Sequence, residues 1–207
     1  MLSVLHKYKY NHYRVSLNNE FRKNAMWWIE FFKTFNGLSY IPVVAWTPPD
    51  IMFSTDASLQ GLGGVNIVAH EYFHVDIPEK FKDLHIGVNE MLAVYIALKL
   101  WQNDLVNTRL KIYCDNQSVI HTINSGKGRD GSMLHFARQI SMICAYNNAD
   151  IKLVYIDSKS NSLSDCLSRW STDKKYREKF NGIISEAKVK YSERTVNDKL
   201  FDDSYDI

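Results

Sequence analysis

Between residues 51 and 170 the apolar pattern of this 207-residue chain changes period in a definite order, and that order leaves few folds open. Ile51–Asp56 reads as a first strand. Gly61-Leu62-Gly63-Gly64 starts a second that runs to about Val68, with Glu71–Val75 as its hairpin partner. Asn89–Trp101 then carries Val94, Ala97, Leu98 and Trp101 at helical spacing. Leu110–Asp115 is a strand, and Gln117–Ile123 and about Met133–Tyr146 are helices parted by Gly126, Gly128 and Gly131. Ile151–Ile156 is the last strand, and Asn161 is placed to cap a closing helix through Trp170. Three meandering strands followed by βα alternation predict an α/β fold, a mixed sheet with helices on its faces.

The flanks differ in texture. Residues 1–50 are basic and aromatic and end in Trp46-Thr47-Pro48-Pro49-Asp50, where two prolines disfavour helix and suggest a stiff linker. Residues 171–207 are charge-rich without long apolar periodicity and read as a tail, partly helical or disordered, with a helix around Lys174–Lys190. No run approaches the roughly 18 apolar residues of a membrane span. Cys114, Cys144 and Cys166 show no CxxC spacing and fit buried thiols in a reducing intracellular compartment, cytoplasm or nucleus. His70 and His74 flank a turn and a strand, so no zinc helix is expected. With 25 basic and 23 acidic residues, whole-chain charge gives no argument for nucleic acid, and any phosphate binding needs positive charge supplied locally.

Four acids sit in awkward places. Asp56 closes the first strand and Asp115 the fourth, so parallel neighbours would bring both to the sheet edge where open α/β folds place ligands. Glu90 opens its helix in register with Val94, Ala97 and Trp101, on the stripe that should pack on the sheet. A carboxylate there is costly unless compensated, or else its head reaches solvent beside the helix N-terminus. Asp165 lies in the second turn of the closing helix, where an exposed acid is the ordinary reading. Several carboxylates converge only around a cation. Hard ions such as Mg²⁺ or Mn²⁺ take such ligands, and two of them about 4 Å apart serve phosphodiester hydrolysis.

At these residues the sequence resembles a type 1 ribonuclease H domain of a retroelement reverse transcriptase. The resemblance rests on Ser54-Thr55-Asp56-Ala57-Ser58 with Gly61-Leu62-Gly63-Gly64, on Asn89-Glu90-Met91-Leu92-Ala93, on Tyr113-Cys114-Asp115-Asn116-Gln117-Ser118, and on Asn161 through Arg169, in family order over about residues 51–170. It implies a five-stranded mixed sheet of order 3-2-1-4-5 with helices on both faces. It further implies that Asp56, Glu90, Asp115 and Asp165 hold two Mg²⁺ ions (Mn²⁺ substituting) and cut the RNA strand of an RNA–DNA hybrid. Met26-Trp27-Trp28-Ile29-Glu30-Phe31-Phe32 with Asn36-Gly37, and Leu167-Ser168-Arg169-Trp170 before a charged tail, resemble elements of the DIRS-like, tyrosine-recombinase group. Residues 1–50 would then follow a polymerase domain in a parent polyprotein; the aromatic cluster reads as a helix packed on the domain.

The resemblance makes Gln117, Asn116, Ser58, Lys127 and Arg129 the expected substrate contacts. Each has a plainer reading: Gln117 as a solvent-facing helix start, Asn116 as a helix cap, Lys127 and Arg129 as solvated charge in a Gly-rich turn. Only those two basic residues stand where cellular enzymes carry a basic protrusion, so weak hybrid affinity with a shallow salt dependence is expected. Tyr155 takes the place of a mobile His. Asp157-Ser158 replaces Pro-Gly, and Ser164 replaces Ala; these departures are expected to loosen the loop that positions Asp165. Asp157 itself reads as a solvated loop acid. The rival functions are a degenerate, non-catalytic hybrid-binding or structural module, and an integrase-like nuclease on the same fold.

Overall fold

The computed structural model describes Arg14, residues 16–34 and residues 48–202; Trp46 and the Asn36-Gly37 pair lie outside them. Residues 14–34 and those from Pro48 onward belong to two separate compact units. In the first, Asn19–Thr34 forms helix α1, in which Trp27 stacks on Phe31 and Trp28 on Phe32 with ring centroids 5.3 and 5.5 Å apart.

The second unit runs β1 (Ile51–Ala57), β2 (Gly61–Asn66), β3 (Glu71–Asp76), α2 (Ile86–Leu100), β4 (Arg109–Cys114), α3 (Gln117–Ser125), α4 (Gly131–Asn147), β5 (Asp150–Tyr155), α5 (Ser162–Ser168), α6 (Lys174–Glu186), β6 (Ser192–Glu193) and α7 (Lys199–Asp202). The sheet order is β5-β4-β1-β2-β3-β6. β1 pairs antiparallel with β2 and parallel with β4, so the carboxyl ends of β1 and β4 share one edge. Strand alternation sorts the residues between two layers. Phe53, Leu62, Phe73, Leu110 and Ile112 face α2 and α4 in the main core. On the other face Val65 packs with Cys166, Leu167 and Phe180, and Ser54 bonds Ser164.

The expected five strands are six. After α6 the chain returns beside β3, whose outer backbone groups would otherwise be an open edge. Ser192 N–H donates to His70 O at 3.0 Å and Arg194 N–H to Tyr72 O at 2.8 Å. Two residues carry no periodicity, so this strand left no trace in the sequence. Residues 174–202 are also partly helical, and they are folded onto the domain. Phe180 packs against Tyr72 and Trp170, and Phe201 is 2% exposed beside Phe81. The charged residues that suggested a tail are the solvent face of these elements.

Local chemistry sets the boundaries. α2 begins three residues before Asn89, because His85 caps it: Gly87 N–H donates to His85 Nδ1 at 3.1 Å. Asn116 caps α3 by accepting from Ser118 and Val119 N–H. α3 ends on Gly126 at φ +66°, the left-handed conformation glycine adopts without strain, and Asp130 caps α4 through Met133 N–H. Gly61 and Gly63 let α5 lie directly on β2. A Cβ on Gly63 would stand 2.5 Å from Leu167 Cβ and from Ser168 N.

Candidate active site

The four acids come from four elements around the edge formed by the ends of β1 and β4. Asp56 is the penultimate residue of β1, on the face covered by α5. Asp115 is one residue past β4, in the turn to α3. Glu90 sits in the second turn of α2, not the first, since the helix starts at Ile86. It is 4% exposed, so its head does not reach solvent. Asp165 lies in the first turn of α5, which starts at Ser162 directly after Asn161, rather than in the second.

Burial and neighbouring charge act on two of them. Burial, opposed in part by a hydrogen bond from Ser168 and reinforced by the charges of Asp115 and Asp165, holds Asp56 up at about 7. Burial, then the charges of Asp56 and Asp115, lifts Glu90 to about 9, although Ala57 N–H donates to it. The tightest grouping is Glu90, Cys114 and Asp115, whose ligand atoms all lie within 4.8 Å of one another. Asp56 and Asp165 fall outside this group and are engaged elsewhere. Ser168 Oγ donates to Asp56 Oδ2 at 2.5 Å, and Arg169 Nε donates to Asp165 Oδ1 at 2.7 Å.

Several residues that hold this edge escaped the sequence reading. Ser158 Oγ donates to Asp115 Oδ2 at 2.7 Å, and Asp157 ties its own loop by accepting from Ser160 Oγ at 2.6 Å. Ser54 and Ser164 share a buried 2.6 Å hydrogen bond across β1 and α5. The departures that promised a loose loop therefore supply bonds of their own. Asn161 occupies the cap position of α5 without capping it; its Nδ2 donates to Thr55 O at 3.0 Å and fastens α5 beside Asp56. Arg169 also lies over the Tyr176 ring of α6, with its guanidinium carbon 5.7 Å from the ring centroid. For Ser54, Ser164 and Asn161 the signal was a small polar side chain on a buried register, legible only once β1 and α5 are known to touch.

The expected substrate contacts divide. Gln117 is exposed at the start of α3, where it lines an open groove of ≈ 470 Å³ with Ile120, His121, Asn124 and Tyr155. Asn116 has its side-chain oxygen committed to the α3 cap. Ser58 is buried; its hydroxyl donates to Ser168 O at 2.7 Å and accepts from Gly61 N–H at 2.9 Å, a turn-fastening role that leaves little for substrate. Lys127 and Arg129 are exposed in the α3–α4 turn.

The donor set fits hard divalent cations. Four carboxylates offer only oxygen, and Glu90 Oε2 is buried without a hydrogen-bond partner. A buried, unpartnered carboxylate oxygen facing two further acids is what a cation would satisfy.

No protein-family model and no curated protein matches the chain. Among solved structures it is similar to ribonuclease H1 of the archaeon Halobacterium salinarum, at 14% identity and a TM-score of 0.49, over 60% of this chain and 98% of that one. LC11-RNase H1, solved in complex with an RNA/DNA hybrid, is 17% identical with a TM-score of 0.47, over 57% of this chain and 93% of its own. The foamy viral protease-reverse transcriptase, also in complex with RNA/DNA hybrid, is 16% identical with a TM-score of 0.44, over 78% of this chain and 27% of that chain. The second unit itself is an α/β domain whose mixed sheet carries the order β3-β2-β1-β4-β5 with β6 added beside β3.

Proposed function

We propose that the chain is a metal-dependent endonuclease that cuts the RNA strand of RNA–DNA hybrids, as the ribonuclease H part of a retroelement reverse transcriptase. One observation carries the reading: buried Glu90 keeps Oε2 without a partner, its carboxylate lies within 4.8 Å of an Asp115 oxygen, and burial with the neighbouring acids holds Asp56 and Glu90 up at about 7 and about 9. A protein without use for a cation gains nothing from that repulsion.

Asp56, Glu90, Asp115 and Asp165 would hold two Mg²⁺ ions, with Mn²⁺ able to substitute. Such ions activate water and neutralise the charge that develops on the scissile phosphate. Ser158 and Ser168 orient Asp115 and Asp56 by hydrogen bonds to one carboxylate oxygen each. Gln117, exposed at the start of α3, would read the hybrid through its shape and 2′-hydroxyls, while Lys127 and Arg129 would touch phosphates. So small a basic surface implies that the polymerase part of the parent polyprotein supplies most of the grip. The aromatic run in α1 and the Leu167-Ser168-Arg169-Trp170 motif support a DIRS-like origin.

Cleavage of a labelled hybrid in Mg²⁺ tests the reading against Asp115→Asn. Outer-sphere partners of a metal site alone are worth about 10–100-fold, so losing a direct ligand is expected to cost more than about 100-fold. RNA-strand products from the native chain alone support the proposal. Hybrid binding with no cleavage by either protein supports the non-catalytic rival, and cutting of duplex DNA supports the integrase-like one.

A further inference from the structure

Cys114 has no part in the reaction just described, since hard ions have little affinity for sulfur. Yet its Sγ is one corner of the Glu90–Cys114–Asp115 triangle, all three ligand atoms within 4.8 Å of one another. The thiol is fully buried at the end of β4, where it accepts from Asn116 N–H at 3.4 Å. Glu90 beside it, 4% exposed, keeps Oε2 without a partner. Three ligands at about 2.0–2.3 Å from one zinc-type ion stand roughly 3.3–4.0 Å from one another. A triangle bounded at 4.8 Å closes on a single ion by tightening about 1 Å.

We propose that Glu90, Cys114 and Asp115 form a mixed oxygen–sulfur site for a thiophilic divalent ion of the zinc–cadmium class, and that its occupation excludes the hard ions from this edge of the sheet. The thiol proton leaves to solvent as the sulfur–metal bond forms; no oxidant or reductant takes part. The binding itself stands on the triangle, whereas the exclusion rests on the reading above, because Glu90 and Asp115 are shared. Cys144 and Cys166 are also buried and free, but neither falls in any ligand cluster among the described residues.

Cd²⁺ titrated into the full chain, reduced with a phosphine, reads the site through the ultraviolet thiolate-to-cadmium charge-transfer band. One band equivalent per chain is expected. It should disappear in Cys114→Ser, with affinity for Cd²⁺ falling at least tenfold, and persist in Cys144→Ser and Cys166→Ser. Glu90→Gln should weaken binding and keep the band at saturation, which preserves the test if Cys114→Ser does not fold. In parallel, Cd²⁺ should release bound Mn²⁺, followed by electron paramagnetic resonance. No band in the native chain, an undiminished band in Cys114→Ser, or Cd²⁺ and Mn²⁺ bound together would overturn the proposal. Failure to bind Mn²⁺ at all, with the band intact, would count instead against the hard-metal reading.

Discussion

Glu90 is a carboxylate where water scarcely reaches, with Asp56 and Asp115 close enough to oppose its charge. In the unfolded chain both Glu90 and Asp56 ionise near pH 4–4.5; in the folded protein they wait until about 9 and about 7. Between those limits the folded state binds more protons, so the metal-free protein loses stability as pH rises from about 4 to about 9. Glu90→Gln should flatten the upper part of that profile. It should also raise the melting temperature in EDTA at pH 8 by several degrees, since folding the native chain at that pH must protonate Glu90 and a glutamine needs no proton, while hybrid cleavage is lost. A fall in melting temperature would mean that Glu90 is structurally satisfied. Arg169 acts in the opposite sense, as the cation on Asp165. Arg169→Gln is expected to lower the melting temperature in EDTA by about 2–4 °C, an exposed pair being worth up to about 1 kcal/mol. Mg²⁺ should erase the difference; an equal deficit with and without Mg²⁺ would contradict this role. Asp56, Asp115 and Glu90 stand out in the sequence because acidic residues at strand ends and on an apolar helix stripe are anomalous, whereas Asp165, an ordinary helical acid, does not. Nor do Ser158, Ser168 and Arg169, because a serine or an arginine in a helix or loop is ordinary until its partner is known.

At the scale of elements, the site depends on how closely α5 lies on the sheet. Gly61 and Gly63 remove the side chains that would hold it off, Ser54–Ser164 and Asn161–Thr55 fasten it, and Asp165 comes with it. Gly63→Ala places a methyl group 2.5 Å from the α5 backbone at Ser168 N, which cannot swing aside as a side-chain tip can. It should cost roughly 1–3 kcal/mol in chemical denaturation and reduce hybrid cleavage by displacing Asp165. A neutral substitution would show that α5 rides further from β2. The order of strands and helices was legible because period changes survive single-residue irregularities. The α2 start was missed because its cap is a histidine, His85, outside the usual capping residues. Asn161 stands at the cap position of α5 as its residue type suggests, but it spends its amide on β1 instead of the helix end.

At the scale of the molecule, residues 174–202 complete the domain. They cover α5, extend the sheet beyond β3 and insert Phe201 beside Phe81 in the main core. Their sequence concealed this, since a few buried aromatics among many charges give a weak apolar period, and β6 is too short for any. Phe201→Ala should therefore destabilise the domain by about 3–5 kcal/mol, as truncation of a buried Phe does, in urea unfolding. A loss below about 1 kcal/mol would mean that this segment merely rests on the surface. What the assembled molecule presents at the β1–β4 edge is a concentration of negative charge with an unsatisfied buried oxygen, and the account stands or falls on cations gathering there. Anomalous diffraction from a crystal soaked in Mn²⁺ tests this most directly. Two peaks are expected, each within about 2.2 Å of carboxylate oxygens, together drawing on Asp56, Glu90, Asp115 and Asp165. Manganese bound only elsewhere, or no peak with Arg169 still on Asp165, would contradict it.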